Sequence, residues 1–239
     1  MGELIIVGAG LGGQSITLAG IEAIRNAEIV LYDRLIHPNI QQHITCESRD
    51  VGKRPYRAHC TTQAQINAMI VAELEQGKRV VRLKGGDTSV FARTIEEVEA
   101  ARSAGAHIII IPGVTSASSL AARVQSALTD RRSVPGVVFI TGHTKADTLE
   151  TSYRWDALCA LGFTIVVYMG VKNMPIIRQQ LLTHGMAPNT SVLIGQSLET
   201  PQERVFTTTL DDVLTCISTQ NISHPATIII GDVAALAKV

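Results

Sequence analysis

No apolar run in this chain approaches the roughly 20 residues needed to cross a bilayer as a helix. The longest, residues 108–111 and 164–169, have the length of strands. Met1-Gly2-Glu3 carries no positive segment ahead of the first apolar run, and Ile6 stands where myristoylation wants Ser or Thr. A cytoplasmic protein without membrane contact is the expectation. Nor is there an excess of charge. Lys+Arg and Asp+Glu each number 21, which argues against the broad positive field of a nonspecific nucleic-acid binder. The four cysteines form no C-x-x-C pair and the seven histidines no H-E-x-x-H pair, so reduced thiols and no metal site are expected. Low-complexity segments and short-period repeats are missing too.

What the chain does have is a core. It is 46% hydrophobic and only 18% charged over 239 residues, enough for one large domain or two small ones. Short β-rich runs alternate with helical stretches. Strands are expected at residues 4–7, 28–32, 79–83, 107–111, 137–141, 164–168, 191–195, 204–208 and 226–230. Helices are expected at 15–26 and 96–104, and from Thr61 or Thr62 to about 76, where Thr62-Gln63-Ala64-Gln65 fits a capping box. Continuous apolar strands are what a sheet covered on both faces shows, so a mainly parallel α/β arrangement follows. The short β pieces after Pro201 suggest a mixed sheet in the second half. A boundary near residue 114 divides the chain into α/β domains 1–113 and 114–239.

Gly8-Ala9-Gly10-Leu11-Gly12-Gly13 fits G-x-G-x-x-G between a strand and a helix, and Asp33 follows Gly13 by 20 residues. That spacing matches a dinucleotide-binding fingerprint, with Asp33 for the ribose hydroxyl. Two other readings remain open at this point. The glycines could serve only a tight turn, or the loop could floor a cleft for a nucleotide without a pyrophosphate.

Further segments carry the same kind of signal: Tyr32-Asp33-Arg34-Leu35, Val51-Gly52-Lys53-Arg54, Arg82-Leu83-Lys84-Gly85-Gly86-Asp87 followed by Val90, Phe91 and Arg93, Pro112 to Ser118, Thr141-Gly142-His143 and Tyr168-Met169-Gly170. Taken in order along the chain, these resemble the uroporphyrinogen-III C-methyltransferase family. The resemblance implies the tetrapyrrole methylase fold, two α/β domains with S-adenosylmethionine in the cleft between them, in a homodimer, with S-adenosylhomocysteine as product. It implies cofactor contacts at Leu11, Gly85, Gly86, Asp87, Val90, Thr115, Ser116, Met169, Leu198 and Ala226. Asp33 would be the base that removes a proton from the macrocycle, and Lys53 a proton donor or charge partner. A carboxylate-rich acceptor must be met locally in a neutral protein. Arg54, Arg82 and Arg93 are the first candidates, since a guanidinium grips a carboxylate through two hydrogen bonds.

The implied reaction is two successive methyl transfers to uroporphyrinogen III, through precorrin-1 to precorrin-2, on the way to sirohaem or cobalamin. The chain departs from the family pattern at Leu11, Gly13, Thr88, Ser89, Asp130 and Gln196, so another tetrapyrrole is an alternative acceptor. An NAD(P)-dependent oxidoreductase using the Gly8 loop, and a noncatalytic sensor, are the alternatives from other classes.

Overall fold

The computed structural model describes residues 2–52, 61–143 and 149–238. Lys53, Arg54 and Arg57 lie outside the described residues. The chain divides into two compact units, Met1–Ser116 and Ala117–Val239.

The first unit runs β1 (Glu3–Gly8), α1 (Leu18–Arg25), β2 (Ile29–Tyr32), α2 (Pro38–Gln41), β3 (Glu47–Asp50), α3 (Gln63–Glu75), β4 (Arg79–Lys84), α4 (Thr94–Ser103) and β5 (His107–Ile111). Its five strands are all parallel, in the order β3-β2-β4-β1-β5. The two-residue period of a strand explains why the apolar runs are continuous. Leu4 and Ile6 of β1, with Ile29, Leu31 and Val80, pack against Ile66, Ile70 and Leu74 of α3 and Val98 and Ala101 of α4. Ile5 and Val7, with Val30, Val81 and Leu83, pack on the other side with Ala23 and Ile24 of α1 and Ile40 of α2. Each face has its own helices, so both are largely apolar.

The capping box expected at Thr62 is formed: the Thr62 side chain accepts from the Gln65 amide, and Gln65 returns an acceptor to the Thr62 amide. The helix expected from residue 15 begins later, at Leu18, with Thr17 as its cap. Leu18, although apolar, is 86% exposed. The helix instead buries the small face formed by Gly20, Ala23 and Ile24.

The second unit, after α5 (Ser116–Arg123), contains β6 (Val137–Thr141), α6 (Trp155–Ala160), β7 (Thr164–Tyr168), α7 (Met174–Thr183), β8 (Ser191–Gln196), β9 (Arg204–Thr209), α8 (Val213–Thr219) and β10 (Ala226–Ile230). Its sheet, ordered β6-β7-β10-β8-β9, is mixed: only β6 and β7 are parallel. Ile165, Val167, Ile194 and Ile228 form one core with Trp155 of α6, Ile177 and Leu181 of α7 and Val213 of α8. Among the described residues no helix is long and apolar enough to cross a membrane.

Candidate functional site

In the first unit the loops that follow β1, β4 and β5 meet at one end of the sheet. Three glycines let their backbones touch. A Cβ built on Gly8 would lie 2.5 Å from the Gly113 nitrogen, and one on Gly113 would lie 2.3 Å from the Gly86 carbonyl oxygen. Gly10 and Gly86 exchange hydrogen bonds, Gly10 N to Gly86 O at 3.1 Å and Gly86 N to Gly10 O at 2.7 Å. Gly86 itself has φ +74°, and the space beside its Cα is open, as a backbone wall for a ligand requires.

This geometry corrects the dinucleotide reading of the Gly8 loop. That reading needs a helix opening directly from the loop, with free amides aimed at a pyrophosphate. Here the amides of Leu11 and Gly12 both donate to Ser15 Oγ, at 2.9 and 3.0 Å, and the helix waits until Leu18. The glycines serve close packing against Gly86 and Gly113.

Asp33 sits just beyond β2, its side chain 31% exposed. Its Oδ1 accepts from Arg82 Nη2 at 2.6 Å. Arg82, on the neighbouring strand β4, is only 2% exposed. Its Nε donates to Glu97 Oε1 at 3.0 Å, and its Nη1 donates to the carbonyls of Leu31 and Leu83. Glu97, on α4, is fully buried and also takes Lys84 Nζ on Oε2 at 2.7 Å and Gln63 Nε2 on Oε1 at 3.2 Å. The result is a tetrad of two acids and two cations with no net charge, which is how buried ions survive. Burial would lower Arg82, but the charges of Asp33 and Glu97 outweigh it and hold the guanidinium above its ordinary value. Lys84 is pushed down, first by burial and then by the nearby Arg82 charge, against the pull of Glu97.

Above this tetrad opens a cavity of about 250 Å³, lined by Asp33, Arg82 and Lys84 and by Leu35, Val51, Gln63, Ile66, Gly85, Val90, Phe91, Ala92 and Arg93. Charged Asp33, Arg82, Lys84 and Arg93 thus share the lining with apolar side chains. Phe91 and Arg93 both take positive φ, 51° and 54°, at a cost of roughly 1–2 kcal/mol each for a residue with a Cβ. The turn is tied down where Thr94 Oγ1 donates to the Thr88 carbonyl. Arg93 is a surface residue whose guanidinium meets Glu96 through Nε and Nη2, at 2.8 and 2.7 Å.

Asp87 closes the loop after β4. Its Oδ1 accepts from the Ser89 amide at 2.8 Å and from the Ser89 hydroxyl, and its Oδ2 accepts from Gly113 N at 3.0 Å. Burial would raise its pKa, but the hydrogen bonds from Ser89, Gly113 and Thr88 together hold it below the ordinary value. A depressed carboxylate stabilises the fold above its unfolded pKa, near 3.8. That contribution fades as pH falls through the lower folded value. Asp87→Ala is expected to cost about 1–3 kcal/mol at neutral pH, read from urea unfolding midpoints, with the difference from the parent shrinking below pH 4.

Thr115 and Ser116 lie at the end of the first unit, both half-buried. In the second unit, Met169 follows β7 with φ 54° and is 44% exposed. It is flanked by Gly170, which lies so close to Gly142 that a Cβ there would come within 2.3 Å of the Gly170 Cα. Ala226 begins β10 and pairs with Gln196. Leu198 is only 6% exposed. Its side chain packs over Gly195, which leaves the backbone as its means of meeting a ligand. Leu11 is half-buried in the Gly8 loop.

Glu97 was not among the residues expected at the site. Its signal was indirect: Arg82 and Lys84 alternate on β4 and so share a face, and two buried cations on one face require an acid opposite.

The profile of the tetrapyrrole (corrin/porphyrin) methylases matches residues 3–214, most of the chain. The chain belongs to this family. Among curated tetrapyrrole methylase relatives, siroheme synthase of Tolumonas auensis is 40% identical over 239 residues, 99% of this chain and 50% of its own length. That of Hahella chejuensis is 37% identical over 237 residues, again 50% of its own length. The chain thus spans about half the length of the curated relatives it matches. Among solved methylase structures, uroporphyrin-III C-methyltransferase from Thermus thermophilus, complexed with S-adenosylhomocysteine, is 30% identical, with a TM-score of 0.83 covering 98% of this chain and 100% of that one. Cobalt precorrin-4 methyltransferase, 24% identical with a TM-score of 0.82 over 96% of this chain and 94% of that one, shares the fold.

Proposed function

We propose that this methylase transfers methyl groups from S-adenosylmethionine to carbon atoms of uroporphyrinogen III, twice in succession, giving precorrin-2 by way of precorrin-1. The observation that carries the proposal is the state of Asp33. Arg82 occupies one carboxylate oxygen. The other, on a residue lining the cavity, accepts no hydrogen bond among the described residues.

S-adenosylmethionine, when bound, supplies the electrophilic methyl group. The residues of the first unit assigned to its binding are Leu11, Gly85, Gly86, Asp87, Val90, Thr115 and Ser116. Those of the second are Met169, Leu198 and Ala226. The open space beside Gly86 supports this fit. So does Met169, an exposed thioether able to lie against an adenosine or a sulfonium. A porphyrinogen pyrrole carbon is electron-rich, so it attacks without prior deprotonation. Methylation leaves the macrocycle with one positive charge, which it discharges by losing a proton from another position, and Asp33 Oδ2 accepts that proton. Arg93 exchanges Glu96 for an acceptor carboxylate, and the apolar side chains of the cavity lining take the macrocycle edge. Lys53 and Arg54 keep the proton-donor and carboxylate-binding roles that the resemblance implies. A homodimer in the cytoplasm belongs to the same proposal.

Titration with S-adenosylhomocysteine and, separately, with NAD(P)H tests the cofactor. S-adenosylhomocysteine is expected to bind and NAD(P)H to leave the protein unsaturated. Tighter binding of NAD(P)H overturns the reading.

A further inference from the structure

We propose that Arg82 is a positioning residue of the reaction: it aims Asp33 and does not grip the acceptor. The inference rests on the reading of Asp33 as the proton acceptor. Sequence alone makes Arg82 a candidate carboxylate ligand, but the geometry assigns its donors elsewhere. Nη2 goes to Asp33, Nε to Glu97, and Nη1 to the carbonyls of Leu31 and Leu83. A guanidinium is planar, so anchoring three of its nitrogens fixes the plane and hence the direction from which Asp33 Oδ1 is held.

The anchors are rigid. Leu31 and Leu83 are fully buried residues of the adjacent strands β2 and β4, whose register pairs Leu31 with Arg82. Glu97 is held in turn by Lys84 and Gln63. Asp33, by contrast, stands at a strand end with its side chain a third exposed. Without the fork its carboxylate would rotate, and a proton acceptor turned away from its target loses rate before the acceptor loses affinity. Glu97 extends the same role, because it is the buried counter-charge that keeps Arg82 in a place where an unpaired cation would not stay, and Lys84 balances the second acid of the tetrad.

The test is Arg82→Lys in the full chain, assayed with S-adenosylmethionine and uroporphyrinogen III beside wild type and Asp33→Asn. Lysine keeps the charge but cannot hold Asp33 and Glu97 in one plane. The expected result is a fall in kcat of about tenfold or more beyond any loss of folded fraction, with the acceptor KM and the S-adenosylhomocysteine affinity close to wild type. A raised acceptor KM with kcat held would make Arg82 a substrate ligand. A kcat that falls only as far as cofactor affinity or folded fraction falls would reduce it to a structural part. Either overturns the proposal. If Arg82→Lys does not fold, Glu97→Gln takes its place, keeping an acceptor for Nε while removing the counter-charge. A several-fold loss of kcat at constant KM is then expected, and a wild-type kcat refutes the role. If wild type turns over and Asp33→Asn is equally fast, the base assignment itself has failed. If Asp33→Asn is slow and Arg82→Lys is not, only the positioning role has.

Discussion

Asp33→Asn is expected to lower turnover by about 10²- to 10⁴-fold, the range for loss of a positioned general base. The substitution is nearly isosteric, and its oxygen can still accept from Arg82 Nη2, so the cavity lining keeps its shape. What is lost is the group that takes the proton. Methyl transfer onto carbon without proton removal leaves a charged macrocycle that reverts or stalls, so the loss falls on kcat. S-adenosylhomocysteine affinity is expected to stay near wild type. The buried network changes from neutral to one excess positive charge, since Arg82 and Lys84 then share only Glu97. Breaking a fully buried pair costs roughly 3–5 kcal/mol. With the Asp33 side chain 31% exposed, solvent screening reduces the cost to about 1–2 kcal/mol, measurable by urea unfolding. An Asp33→Asn enzyme with unreduced turnover would remove Asp33 from the chemistry.

Gly113→Ala is expected to cost about 3 kcal/mol or more, beyond ordinary overpacking. Its Cβ would meet the Gly86 carbonyl oxygen at 2.3 Å and the Gly8 carbonyl carbon at 2.7 Å. Both are backbone atoms and cannot rotate aside as a side chain can. Relief requires moving the β1 or β4 loop, and the Gly86 wall and the Asp87 staple to Gly113 move with it. Cofactor affinity is therefore expected to fall along with stability. Gly77→Ala is the control. Gly77 has φ +81° but nothing within 4 Å of a built Cβ, so it should lose only about 1 kcal/mol. Equal unfolding midpoints for the two variants would show that the glycine contact is not tightly closed.

These two sites show what could be read from the residues and what could not. The buried strands of the first sheet were legible because a parallel strand between two helix layers is largely apolar. β3 was not, since Glu-Ser-Arg-Asp carries no hydrophobic pattern. It is a strand because its backbone pairs with β2 at the sheet edge. The start of α1 was misplaced because Ile16 and Leu18 continue a helical period, while Ser15 spends its hydroxyl holding the loop before Thr17 caps the helix. In the same way, G-x-G-x-x-G was visible as a motif, but its purpose depended on Gly86 and Gly113, far away in sequence. Asp33 was legible as a residue in a motif. That Arg82 binds it was not, because a cation on an interior strand reads equally well as a ligand for a substrate or for a neighbouring acid. Only the register of β2 against β4, and the fall of Glu97 over the same face, distinguish the two.

The most direct measurement is the mass of the tetrapyrrole recovered after anaerobic incubation of the protein with S-adenosylmethionine and uroporphyrinogen III. The account predicts a product heavier by two methyl groups, with a singly methylated species rising first and then falling. Recovery of unmodified uroporphyrinogen III from folded protein that binds S-adenosylhomocysteine would contradict it.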